Sequence, residues 1–294
     1  MAGFGLGLLF VAIWASAFTA IRGVVPEWQP LTALAVRFVI VTPILAAIVL
    51  WRRGRWPGRA DALRLVAMGV FGTAGYLAGA WMAGAILPTG LVALLCATAP
   101  LFVAAGEVLV LRRELPGLAW LGLGLGWLGV AVLGLGRAME AGMPGGLATA
   151  AGGLGLLLAL GGALSQAVGI LAFAPARARL DPWTVNAGQS GVAALALLLL
   201  AVLAEPHWPG PPSLTLVLAM VWSVLVVGVG GYALYFVMLR RLPPASAASL
   251  QLLAPPLAAV FGWALLGERL GWWDVAGGAV TLAGLALLFR ARRV

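Results

Sequence analysis

Residues 31–51 read LTALAVRFVIVTPILAAIVLW, an apolar run in which Arg37 is the only charged residue. A bilayer core about 30 Å thick needs roughly 20 apolar residues per helix, so this stretch predicts a membrane-spanning helix. The rest of the chain is similar: 63% of its 294 residues are hydrophobic and 9% are charged, with a mean hydropathy of +1.07. Such a composition excludes a soluble enzyme, a nucleic-acid-binding domain and a disordered chain. The apolar runs are continuous rather than alternating, which excludes a β-barrel.

Ten runs of this kind occur, and they predict an all-α polytopic membrane protein with ten transmembrane helices. The predicted spans are 3–22, 31–51, 62–85, 89–111, 117–136, 149–174, 182–203, 214–239, 245–266 and 271–290. Proline and glycine clusters separate them, and the connections are too short for an inserted soluble domain. The first run resembles a signal peptide, with Ala15-Ser16-Ala17 as the cleavage site, but it has no basic N-terminal region and we interpret it as a span.

The net charge of +9 comes from arginines, and their placement predicts the topology. Fourteen fall in segments that share one side of the membrane, three fall on the other side, and Arg37 lies inside a span. The larger set is Arg52, Arg53, Arg55, Arg59, Arg64, Arg112, Arg113, Arg177, Arg179, Arg240, Arg241, Arg290, Arg292 and Arg293; the smaller is Arg22, Arg137 and Arg269. The positive-inside rule makes the arginine-rich side cytoplasmic, together with both termini. An even number of spans requires the same.

Residues for catalysis or metal binding are scarce in this chain. The single cysteine, Cys96, lies inside an apolar run, and the single histidine, His207, lies in a loop. No cluster of His, Cys, Asp or Glu has the spacing of a metal site, and no phosphate-binding loop occurs. We therefore predict a protein that is not an enzyme and that needs no cofactor or metal.

The first half of the sequence recurs in the second at an offset of roughly 150 residues. Gly72-Thr73-Ala74-Gly75-Tyr76 matches Gly228-Val229-Gly230-Gly231-Tyr232, Ala99-Pro100-Leu101 matches Ala254-Pro255-Pro256-Leu257, and Gly122 and Gly129 match Gly277 and Gly284. We predict two repeats, 1–140 and 141–294. Each would hold five spans, so the second copy would be inverted in the membrane. Inverted repeats are typical of alternating-access transporters, whose site lies at the repeat interface near the midplane.

Several ordered motifs resemble one known family. They are Trp14-x-Ser16-x-Phe18-x-x-x-Arg22, Arg37-Phe38, Pro100 followed by Arg113-Glu114, and Leu253-x-Pro255 followed by Leu266-Gly267-Glu268-Arg269 with Gly277 and Gly284. Over nearly the whole chain this resembles the drug/metabolite transporter superfamily, in its ten-helix EamA-type branch. The resemblance implies an exporter of small metabolites in the bacterial inner membrane, most similar to the exporters of aromatic and other neutral amino acids.

The three tyrosines fall in the third and eighth predicted spans, and Tyr76 and Tyr232 occupy equivalent repeat positions. Tyr76 lies 12 residues from both Arg64 and Pro88 and so, at 1.5 Å per residue, about 18 Å from each end of its span. We predict that Tyr76 and Tyr232 bind substrate near the midplane. The alternative is that each phenol only bonds a neighbouring helix. Glycines on the same spans predict close helix packing.

Arg37 is a second candidate, as a cation that attracts a substrate carboxylate. Alternatively its side chain extends to the outer surface. Glu107, the one acid inside a span, is expected to pair with Arg112 or Arg113 at the cytoplasmic end.

Other polar residues in spans complete the candidate site. We predict that Ser16, Gln166 and Gln251 also bind substrate. Pro100, Pro255 and Pro256 interrupt helical hydrogen bonding, and we predict kinks or hinges there.

The function predicted from the sequence is secondary export of aromatic or neutral amino acids and related apolar compounds. A phosphosugar, nucleotide-sugar or drug carrier of the same fold remains open, as does a membrane enzyme or lipid scramblase. The expected partners are a small-molecule substrate and the lipid bilayer, with no nucleic acid. The sequence leaves the oligomeric state open, a monomer included.

Overall fold

The computed structural model describes residues 2–87, 89–140, 150–205, 209–266 and 271–291, and the regular secondary structure in these ranges is helical. The helices are α1 (Ala2–Arg22), α2 (Pro30–Trp51), α3 (Arg59–Gly84), α4 (Thr89–Cys96), α5 (Ala99–Leu109), α6 (Gly117–Glu140), α7 (Ala150–Phe173), α8 (Pro182–Ala204), α9 (Leu214–Arg241), α10 (Pro244–Ser249), α11 (Ala254–Leu266) and α12 (Trp272–Ala291). His207 and residues 267–270 lie outside the described ranges, and so do the side chains of Phe18 and Arg22.

Eight helical stretches of the described chain are long and apolar enough to span a membrane. They are Pro30–Trp51, Arg59–Gly84, Gly117–Gly136, Ala151–Phe173, Pro182–Ala204, Leu214–Arg241, Pro244–Phe261 and Trp272–Ala291. Two shorter apolar helices, Gly5–Ala17 and Leu94–Leu109, lie where the first and fourth spans were predicted. The prediction of a polytopic all-helical membrane protein is confirmed, with eight spans assigned by length and composition.

The prolines predicted as kinks lie just after interruptions. A turn at Ala97 and Thr98 separates α4 from α5, and Pro100 lies in the first turn of α5. A 3₁₀ turn, Leu250–Leu253, separates α10 from α11, and Pro255 and Pro256 begin the next helical segment. Proline is tolerated in a first turn because its missing N–H would have no helical partner there. The irregular backbone therefore lies ahead of the prolines, at Ala97 and Thr98 and at Leu250–Leu253.

Two helices contain wide, π-helical segments that end just before a tyrosine. The segment in α3 is Met68–Gly75, followed by Tyr76, and the segment in α9 is Ser223–Gly231, followed by Tyr232. Extended π-helical segments are rare, and short ones are frequent at functional sites. The two tyrosines thus share a backbone context as well as a sequence motif.

The contacts between helices are related by interchanging the two halves of the chain. The most extensive contacts join α6 to α12 and α2 to α8. Helix α3 packs on α7, and α9 packs on α1; α5 also contacts α7, and α11 also contacts α1. Each of these contacts has a counterpart with the two halves exchanged.

Glycine seams bring several of these pairs into backbone contact. In α6 and α12, a Cβ added at Gly129 would overlap the backbone of Gly277 and Thr281, and one added at Gly284 would overlap Gly126. In α3 and α7, Gly72 lies against Gly169 and Gly79 against Gly162. Small residues at membrane helix interfaces permit this approach, so the predicted close packing is confirmed.

The seam between α6 and α12 supplies a stability test. Gly129→Ala is expected to lower the free energy of unfolding by about 1–3 kcal/mol, because backbone atoms block the new methyl group. Gly124→Ala is a matched control on the same helix, where an added Cβ meets no atom within 4 Å, and helix propensity favours alanine. Thermal midpoints in detergent measure both. Equal midpoints for the two variants would contradict the tight seam.

Loops that the arginine count assigns to one side do meet in space. At one end, Glu205 accepts hydrogen bonds from the backbone N–H groups of Leu31 and Thr32, at 3.0 and 2.7 Å, and so caps α2. The Ser213 N–H and hydroxyl also donate to Glu27 there, which lowers the pKa of the Glu27 carboxyl. At the opposite end, Asp61 pairs with Arg64 and Arg179, each at 2.7 Å, and Arg177 donates to the Leu242 carbonyl at 2.6 Å.

Candidate functional site

An aromatic cluster fills the space among α1, α2 and α9. Its members, Phe10, Trp14, Phe38, Tyr232, Tyr235 and Phe236, are all buried. The Trp14 and Tyr232 ring centroids are 5.1 Å apart, edge to face, and Phe10 stacks on Tyr235 at 5.6 Å. Such ring pairs prefer these offsets because the face of each ring is negative and its edge positive. The cluster therefore gives the bundle interior an apolar, polarisable wall.

Arg37 lies beside this cluster and is only 4% exposed. Its guanidinium carbon lies 5.3 Å from the Phe38 ring centroid, and it interacts electrostatically with Tyr232. The Nε and Nη2 atoms are buried and have no hydrogen-bond partner. The side chain does not extend to the surface, so the interpretation that it snorkels is wrong. A buried guanidinium costs free energy unless it is paired, which makes this position a candidate for ligand binding.

Two glutamines predicted from the sequence meet on the other side of Tyr235. The Gln166 side-chain amide of α7 donates to the Gln251 Oε1 atom, at 3.4 Å, and Gln251 belongs to the 3₁₀ turn ahead of α11. Gln251 also lies close to the Tyr235 phenol. Neither the Gln251 Nε2 atom nor the Tyr235 hydroxyl has a hydrogen-bond partner of normal geometry. Both remain available as hydrogen-bond donors in the interior.

Tyr76 joins the group from α3. It is buried and lies near Tyr232, Tyr235 and Cys96. Cys96 lies just before the break between α4 and α5. Gln251 occupies the equivalent position in the second half of the chain, ahead of α11. Of the candidate binding residues, the structure therefore brings together Tyr76, Tyr232, Arg37, Gln166 and Gln251. These five residues and the aromatic cluster are called the central site below.

Ser16 lies apart from the central site. Its hydroxyl donates to the Ile13 carbonyl, at 2.7 Å, and accepts from the indole N–H of Trp222, at 3.0 Å. Trp222 is 45% exposed on the outside of the bundle. Ser165, the equivalent residue of α7, donates to the Phe71 carbonyl at 2.8 Å. Both serines therefore bond to a residue in or next to a π-helical segment.

The two π-helical segments are connected by a buried polar network through α8. Thr73 donates to Gln189, and the Gln189 amide donates to Asn186 at 3.1 Å. Asn186 in turn donates to the Gly228 carbonyl at 3.0 Å. Every link is satisfied within the protein, so this network positions the helices.

The acidic side chains that the structure describes lie at helix ends or in loops. Asp181 and Asp274 cap helices, and Glu114 lies in a loop. Glu107 is buried near the end of α5, with its Oε1 atom 3.7 Å from Arg113 and its Oε2 atom 3.4 Å from the Ala245 N–H. The ion pair predicted for Glu107 is confirmed. Within the described ranges, no three His, Cys, Asp or Glu side chains are grouped closely enough to hold a metal ion.

Five residues of the central site were missed by sequence reasoning. Phe10 and Phe236 carry no distinguishing motif, and Tyr235 has no equivalent in the first half, where Gly79 stands. A usable signal for Tyr235 was its spacing from Tyr232, because residues three apart share a helix face. Trp14 and Phe38 belong to the family motifs quoted above but were not assigned to the site.

Comparison with known proteins agrees with this architecture. A family model described as the EamA-like transporter family matches residues 1–135 and again 153–290. An uncharacterized transporter from Archaeoglobus fulgidus is 25% identical over 291 residues, which is 97% of each chain. One protein of known crystal structure aligns with a TM-score of 0.78 at 22% identity, over 98% of this chain and 96% of the other, and thus shares the fold. This multi-pass membrane protein belongs to the EamA-like transporter family.

Proposed function

We propose that the protein is a secondary, alternating-access transporter that exports small metabolites across the bacterial cytoplasmic membrane. Aromatic and neutral amino acids and related apolar compounds are its proposed substrates. The observation that carries the proposal is the central site, where aromatic rings, a buried guanidinium and unpartnered donors from helices of both halves converge. Apolar walls with a few converging polar groups are typical of small-molecule sites.

The proposed architecture is ten spans in two inverted five-helix repeats. Two observations support it. Helix α1 packs on α9 as α7 packs on α3, which are equivalent contacts with the two halves interchanged, and each half contains a π-helical segment. The family model also matches the chain twice, once in each half. In this arrangement α1 is the first span, and α4 and α5 together form the fourth. Sites at such repeat interfaces are opened to either side in turn.

The experiment that tests this function is counterflow in proteoliposomes that contain the purified protein. Vesicles loaded with unlabelled phenylalanine should accumulate labelled phenylalanine, and vesicles loaded with a phosphosugar should not accumulate labelled phosphosugar. A phosphosugar carrier would need several interior cations, whereas Arg37 is the buried arginine of the described chain. Phosphosugar exchange without amino acid exchange would overturn the proposal. Lipid scrambling without exchange of either compound would indicate a lipid scramblase.

The proposed orientation places the arginine-rich loops and both termini in the cytoplasm. Single cysteines at positions 57 and 210, on a Cys96→Ala background, report it with a membrane-impermeant maleimide. We expect labelling of Gly210→Cys in intact cells and labelling of Pro57→Cys only after permeabilisation, because charge asymmetry sets orientation. The reverse pattern would invert the topology.

A further inference from the structure

The positive charge and the hydrogen-bond donors of the central site indicate which small molecules it can bind. Arg37 contributes a positive charge, and no ion pair or hydrogen bond offsets its Nε and Nη2 atoms. The other unpartnered atoms at the site, Gln251 Nε2 and the Tyr235 hydroxyl, also offer hydrogen to a ligand. Among its described residues, the central site contains no negatively charged group that could accept these hydrogen bonds.

The acids of the described chain cannot supply that acceptor. Asp61 binds two arginines, Glu107 faces Arg113 and the start of α10, and Glu205 caps α2. Glu27 binds Ser213, and Asp181 and Asp274 bind backbone N–H groups at helix starts. These contacts lie at the ends of the bundle. An ammonium group carried into the centre would therefore meet Arg37 but no carboxylate of the described residues.

The aromatic rings of the cluster do not provide a favourable position for an ammonium group either. An ammonium group gains from an aromatic face when it can lie over it. In the cluster, Phe10 stacks on Tyr235, and Trp14 packs against Tyr232 and Phe10. Arg37 already lies over the neighbouring Phe38 ring, and it would repel a second cation. The rings instead offer contact to an apolar tail.

We propose that the preferred ligand of the central site is a monocarboxylate with an aromatic or other apolar tail and no ammonium group. This inference rests on the proposed transport function and, among its proposed substrates, ranks the related apolar compounds that carry a carboxylate ahead of the amino acids. The ligand carboxylate would bind Arg37, with Tyr235 and Gln251 as further donors. A monoanion makes the occupied site neutral, whereas a zwitterion pairs its carboxylate with Arg37 but buries an ammonium group that has no counter-charge, which leaves the site with a net charge of +1. Burying an unpaired charge is strongly unfavourable.

The test uses compounds of one shape and different charge. They are 3-phenylpropanoate, phenylalanine, 3-phenylpropanamide and 2-phenylethylamine. Binding to the purified wild-type protein in detergent is measured by the ligand-induced rise in thermal midpoint, which converts to affinity through the ligand concentration. Membrane leakage of the weak acid does not affect this readout. We expect 3-phenylpropanoate to bind at least tenfold more tightly than phenylalanine, and the amide and the amine to bind more weakly still.

Two variants make the result specific to the site. Arg37→Gln should remove the preference for the propanoate over the amide. Gln251→Glu adds the missing carboxylate with little change of shape, and it should reverse the preference towards phenylalanine. Tighter binding of phenylalanine than of the propanoate to the wild-type protein would overturn the inference and leave the proposed function intact. No binding of any of these compounds would overturn both.

Discussion

Arg37→Gln is expected to lower the initial rate of substrate counterflow by about 30-fold or more, while leaving the thermal midpoint unchanged or raised. Removing one member of a buried charge pair costs about 2–5 kcal/mol of binding free energy, and 1.4 kcal/mol is a factor of ten. Without ligand, however, the guanidinium is 4% exposed and lacks partners at two nitrogens. Its replacement by a neutral amide removes an unfavourable burial, so stability should not fall.

Two further variants identify the cause of the loss. Arg37→Lys keeps the charge but not the planar fork, and it should also transport poorly if the ligand is held by two parallel hydrogen bonds. Arg64→Gln is the control, because its partner Asp61 lies on a solvated face and surface pairs contribute little. A normal rate for Arg37→Gln, with a lowered midpoint, would show that Arg37 stabilises the fold and does not bind substrate.

The two equivalent tyrosines should both be needed for transport but should differ in stability. Tyr76→Ala and Tyr232→Ala are each expected to lower the counterflow rate about tenfold, since each removes a ring and a hydroxyl from the central site. Tyr232 packs edge to face on Trp14 and Phe38, so its truncation also leaves a hole in the cluster. We expect a loss of about 3 kcal/mol or more for Tyr232→Ala. Tyr76 has no such ring pair in the described chain, and the loss should be smaller.

Phenylalanine variants separate the ring from the hydroxyl. Tyr232→Phe keeps the packing, so its midpoint should match the wild type, and a lowered rate would then measure the hydroxyl alone. Trp222→Phe, on the exposed face of α9, serves as the control. Normal transport by both alanine variants would place the substrate path elsewhere in the bundle.

Sequence reasoning identified interior residues where a residue is out of place in an apolar span. Arg37, Gln166 and Gln251 stand out because a charged or amide group in a membrane helix needs a reason to be there. The internal repeat added Tyr76 and Tyr232, which a composition argument alone would not separate from other aromatic residues. All five meet in the structure.

Other features depend on information that one sequence does not contain. The π-helical segment at Met68–Gly75 has the same apolar pattern as an α-helix, since its glycines and small residues fit either backbone. Proline shows where a helix cannot continue its hydrogen bonding, but not that the break lies at Ala97 and Thr98, ahead of Pro100. The contact between Ser16 and Trp222 joins residues 206 positions apart and is visible only after folding.

The glycine seams have a consequence for how such a protein can change during evolution. At Gly129 and Gly284 the neighbouring backbone leaves no space for any side chain, so these positions tolerate almost no substitution. The central site shares no residue with these seams: Arg37, Tyr235 and Gln251 contact one another or the cluster. Mutations at Arg37 or Gln251 that alter ligand preference can therefore accumulate without disturbing the glycine seams. The same backbone could carry chemically different cargo in different descendants.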